Sequence, residues 1–120
     1  MTALFAVAMG GALGAVLRFG TNQAVTHWLG LPLFWATLLV NVLGCYLMGL
    51  AYQYFIQQEI FSDAVRLFVT VGLLGALTTW STFSMETVQM IQNDQLGKAA
   101  LYTLVTATGC FLAFWLGVKS

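Results

Sequence analysis

Charge is what this sequence has least of. Four Lys+Arg and four Asp+Glu stand in 120 residues, 7% in all, and the net charge is zero. A water-soluble domain carries about 25% charged residues, so this chain lacks the means to solvate a globular surface. It has no basic cluster to meet a polyanion, which excludes nucleic acid as a partner. Proline occurs once and cysteine twice. Cys45 and Cys110 lie in apolar runs without metal-ligand spacing, so they read as buried small residues rather than a disulfide or a zinc site. His27, the single histidine, has no second ligand nearby. Positions 1–58 contain no Asp or Glu. No basic stretch precedes the first apolar run and no small-residue cleavage signal follows it, so no removable signal peptide is read. The absence of any nucleophile–base constellation excludes an enzyme.

What remains is apolar: 60% of residues are hydrophobic and 14% aromatic, with a mean hydropathy of +0.87. At about 20 residues per span, the chain reads as an all-α membrane protein. It forms one domain, 1–120, of four transmembrane helices, expected at about 2–19, 34–55, 63–92 and 98–118. Four thin helices enclose little by themselves, which points to an oligomer in membrane lipid.

The third span is the unusual one. From Gly72 to Glu86 it runs Gly-Leu-Leu-Gly-Ala-Leu-Thr-Thr-Trp-Ser-Thr-Phe-Ser-Met-Glu. Two glycines, a crowd of hydroxyls and two aromatics make a poor helix, and about 30 residues exceed one perpendicular crossing. Two half-helices meeting at a break near 75–82 fit better. Irregular backbone at membrane depth survives only where it is buried in protein or lines a wet cavity. Such interrupted spans build ion and substrate sites.

Other polar residues take positions around this break. Thr37, Asn41, Gly44 and Met48 share one face of the second helix. Asn41 is either an interhelical clamp or a pore-lining group, because an amide facing lipid is costly. Glu86, for the same reason, is expected to face protein or water. Tyr102, Thr106 and Cys110 follow one another at four-residue steps. They form either a hydrogen-bonding track or a row of hydroxyls bonded to their own i−4 carbonyls, and the second reading is preferred on spacing alone. Gly10 and Gly14 make a GxxxG packing face. Arg18 ends the first apolar run, as an interfacial anchor by preference, or as an attractor at an aqueous mouth. Gly20 to Leu33 is read as a connection bracketed by Trp28 and Trp35. Gln57, Gln58, Glu59, Ser62 and Asp63 form the second connection, with Ser62 and Asp63 as cap. Arg66 and Lys119 fall on one side of the membrane, Arg18 and Lys98 on the other. Without a bias the chain is expected to insert both ways round, and a copy can then pair with an inverted copy.

Together these segments resemble the small bacterial fluoride channels, the Fluc or CrcB family. The carrying stretches are Gly10 to Phe19, Asn41-Val42-Leu43-Gly44, and above all Gly72 to Phe83 with Glu86. The likeness covers the whole chain in length, span count and motif order. It implies an antiparallel, dual-topology homodimer in the bacterial cytoplasmic (inner) membrane, with two pores for passive fluoride export and hence fluoride resistance. It implies a structural sodium ion at the dimer centre, bound by backbone carbonyls of Gly75 and Thr78. The family's paired phenylalanines fall on Trp80 and Phe83, its pore asparagine on Asn41, and its fourth-helix polar track on Tyr102, Thr106 and Cys110. Arg18 and Glu86 match its first-helix arginine and the carboxylate after the break. Ser81 and Thr82, within the break motif, and Thr37, on the Asn41 face, complete the expected site. Two positions depart from the pattern: Trp80 stands for Phe, and Cys110 for a hydroxyl residue.

The alternative is a dual-topology exporter of small cations, of the small multidrug resistance type. Those transporters use a carboxylate deep in the first helix, which is missing here. A cation channel built on Glu86 is weaker, since a dimer gives at most two carboxylates.

Overall fold

In the structure, a computed structural model, residues 2–57 and 61–120 are described. Gln58 and Glu59 of the second connection lie outside the described residues. Among the described residues, four helices are long and apolar enough to cross a membrane. We label them α1 (Thr2–Trp28), α2 (Leu33–Phe55) and α5 (Leu96–Lys119), with the third divided into α3 (63–77) and α4 (Trp80–Gln92). At about 1.5 Å per residue, the 24 residues of α5 extend roughly 36 Å, enough for the hydrocarbon core.

The first helix corrects the sequence expectation. It does not stop at Phe19 but continues to Gln23, and then through a wider π-helical turn to Trp28. Polarity after Arg18 suggested an end, yet nothing there breaks a helix. Thr21 and Thr26 fold their hydroxyls back onto the carbonyls of Leu17 and Asn22, so the polar residues are absorbed locally. The chain turns only at Gly30, whose φ is +66°, and at Pro32, which precedes α2. At the start of α3, Ser62 accepts a hydrogen bond from the Val65 N–H, and Asp63 pairs with Arg66 at 2.8 Å.

Two parallel helix pairs make the bundle, each held where glycine lets backbones meet. Gly72 of α3 lies against Gly10 and Val7 of α1, and a Cβ on Gly10 would strike the Phe68 carbonyl. This is the close approach that GxxxG spacing permits. On the other side Gly49 of α2 meets Gly117 of α5. Val40, Ala51, Leu74 and Leu77 join α2 to α3 in one buried cluster. Phe83, Met90, Ala99 and Tyr102 tie α4 to α5 in another. Between these clusters lies the break.

Candidate functional site

The third span parts at Thr78 and Thr79, which are extended (φ −89°, ψ 157° and φ −151°, ψ 121°). Thr79 begins α4 as its cap, its hydroxyl accepting from the Thr82 N–H at 3.1 Å. Asn41, reaching over from α2, holds the same residue at both ends of its backbone. Its Nδ2 donates to the Thr79 carbonyl at 3.0 Å, and its Oδ1 accepts the Thr79 N–H at 2.8 Å. A peptide that left the helix thus regains two hydrogen bonds, as the membrane interior demands. Thr78 turns its side chain the other way. Its hydroxyl donates to Leu74 O and its methyl seats on Gly44 of α2.

The break also leaves carbonyls without their helical donors. In a continuous helix Gly75 O would accept from Thr79 N–H and Thr78 O from Thr82 N–H, but those donors are committed to Asn41 and to the Thr79 hydroxyl. Ala76 O is met instead by Arg18 Nε at 3.0 Å. Arg18 is therefore a brace on the broken span rather than the free lipid anchor preferred from sequence. Hard carbonyl oxygens without strong donors suit a hard cation such as sodium. Gly75 is exposed on the surface of the protomer. The donor set fits.

Beside the break lies a cavity of about 330 Å³ whose lining includes Asn41, Thr79, Trp80, Phe83, Thr106 and Cys110. Thr106 is only 5% exposed, and its hydroxyl has no hydrogen-bond partner among the described residues. The expectation that this stripe bonds back on its own helix fails here and at Tyr102. Tyr102 donates instead to Glu86 Oε1 at 2.7 Å, while Thr37 donates to Oε2 at 2.9 Å. Glu86 thus faces protein, with both oxygens engaged. Phe83 is buried and meets the Tyr102 ring edge-on, at 5.0 Å and 64°. Trp80, tilted against Phe83 at 5.1 Å, is 76% exposed.

The structure therefore brings Asn41, Trp80, Phe83, Thr106 and Cys110 to one cavity, and sets Thr37, Glu86 and Tyr102 together behind Phe83. Ser81 and Thr82 are not in the cavity lining; their hydroxyls gather on that of Thr79. Sequence reasoning missed Thr79 as the residue Asn41 holds. A hydroxyl residue just before a half-helix is a cap signal that marks Thr79 as the start of α4, but it does not name Asn41 as its partner.

Fold and site define a multi-pass membrane protein whose polar interior is organised by a broken helix. The chain belongs to the CrcB family: the family model described as "CrcB-like protein, Camphor Resistance (CrcB)" matches residues 5–118. Curated relatives named "Fluoride-specific ion channel FluC" include that of Magnetococcus marinus, 45% identical over 93% of this chain and 91% of the relative. Another, from Thermus thermophilus, is 44% identical over 90% and 86%. The Geobacter sulfurreducens relative is 36% identical over 100% and 97%.

Proposed function

We propose that this protein is a fluoride-selective channel, two copies pairing antiparallel to give two pores, in the bacterial cytoplasmic membrane. Its relatives' printed names support the ion. The observation that carries the reading on this chain is the cavity at the break and the chemistry of its donors. Fluoride is small and strongly hydrated, so a conduit must replace water without a grip too tight to release. The site offers neutral donors only. An amide nitrogen carries two hydrogens; Asn41 commits one to Thr79 and keeps the other for the cavity. The Thr106 hydroxyl has no competing partner. The Phe83 ring contributes its positive edge, and the Trp80 indole adds an N–H. Trp80, exposed beside the break, is the ring a second copy would cover.

In the dimer the carbonyls of Gly75 and Thr78 from both copies would hold the sodium ion, which supplies interior positive charge when bound. Arg18 relieves the neighbouring Ala76 carbonyl and keeps this end of α3 in place. Glu86, fixed by Thr37 and Tyr102, orients the Tyr102 ring against Phe83. Passive outflow of fluoride through this route would protect the cytoplasm.

The reading is tested in liposomes loaded with fluoride. Asn41→Asp replaces a donor with a repelling carboxylate, and Phe83→Ile removes the ring edge. Each is expected to lower fluoride efflux by about tenfold or more, equivalent to about 1.4 kcal/mol of barrier. Efflux unchanged in both variants, with dimers intact, would contradict it.

A further inference from the structure

Cys45 and Cys110 line the same cavity from the neighbouring helices α2 and α5. The register of the two parallel helices sets them within about one turn of each other. Beyond the pair, Gly49 packs on Gly117, one turn past Cys45 and two turns past Cys110; two turns below both, Thr37 and Tyr102 share Glu86. Each cysteine is free and half-buried, and the Cys45 thiol is a polar neighbour of the Cys110 thiol. One turn from Cys110, the unpartnered Thr106 hydroxyl is buried in the wall of that cavity.

We propose that Cys45 and Cys110 form a two-thiol site for a soft, two-coordinate divalent cation, bound linearly between the sulfurs. Thiolates select soft metals. Zinc is a poor occupant, because its structural sites take four ligands, and the described residues include no group of three or more His, Cys, Asp or Glu suited to a metal. Charge narrows the choice further. Two thiolates around a divalent ion make a neutral unit, whereas a monovalent ion would leave a net negative charge in a low-dielectric interior. With mercuric chloride, two S–Hg bonds form, two chlorides leave and two thiol protons pass to buffer, with no change in oxidation state. The site is separate from the sodium position, where hard carbonyls serve, and does not depend on the conduction reading.

The test uses purified protein and mercuric chloride, titrated against a competing monothiol, with bound metal measured after gel filtration. One mercury per chain is expected to be retained. Cys45→Ser and Cys110→Ser should each lower the apparent affinity by about 100-fold, because two ligands on one scaffold act as a chelate. Mercury loading should also protect both thiols of every chain from maleimide, a readout on the unaltered protein that needs no variant to fold. Equal retention by the single variants would overturn the proposal. So would one mercury shared by two chains, protection of one thiol only, or no retention at all.

Discussion

Asn41 holds a helix break with one side chain, and this makes its replacement informative. Asn41→Leu keeps the volume roughly but leaves the Thr79 N–H and carbonyl without partners. An unsatisfied buried polar group costs about 1–3 kcal/mol, so thermal unfolding of Asn41→Leu in detergent should fall by an amount in that range. Unfolding at the unaltered temperature would mean that water, not Asn41, serves those groups. The Glu86 cluster gives a second residue-level prediction. Thr37→Val and Tyr102→Phe each remove one donor to the same carboxylate. Interhelical hydrogen bonds in membranes average about 0.6 kcal/mol, so each single variant should lose about that much. A larger loss in the double variant than the sum is expected, because the last donor matters most to a buried carboxyl group. Strict additivity would show Glu86 to be served by other groups.

At the scale of elements, glycine placement decides which helices touch. Gly10→Ala would push a Cβ into the backbone of 68–73 on α3, whereas one on Gly11 meets nothing within 4 Å. Overpacking typically costs about 1–3 kcal/mol, so Gly10→Ala should destabilise the protein by that amount. Gly11→Ala should be neutral or stabilise it by up to about 1 kcal/mol through helix propensity. Equal behaviour of the two in detergent unfolding would contradict the α1–α3 packing. The same elements show what a sequence discloses. Periodicity set Thr37, Asn41, Gly44 and Met48 on one face; the first three are buried and Met48 is half-buried. The Thr-Thr run after Gly75 marked the region of the break. The end of α1 was not legible, because a helix ends where a breaker sits, here Gly30, and not where polarity begins. Nor was the role of Thr79, since the groups Asn41 holds are backbone atoms that every residue carries. The partners of Glu86 lie 49 and 16 positions away, on helices whose rotation no spacing rule fixes. Arg18 reaches 58 positions to Ala76, and its anchor reading failed for the same reason.

For the whole molecule, the proposed antiparallel pair rests on the weak bias of the flanking charges, Arg66 and Lys119 against Lys98, with Arg18 held inside the first span. Such a balance should be easy to tip. Two lysines added in the 93–95 turn should bias insertion one way, and two added at the C-terminus the other, read by reporter fusions. Each biased chain alone should lose fluoride efflux, and the two together should restore it. Efflux from one biased chain by itself would contradict antiparallel pairing.

The most direct measurement is fluoride efflux from liposomes holding the unaltered protein, followed with a fluoride electrode beside matched chloride-loaded vesicles. The account predicts rapid release of fluoride and retention of chloride. Silence for both ions from well-folded protein, with no recovery in Trp80→Phe, or release of both at similar rates, would contradict it.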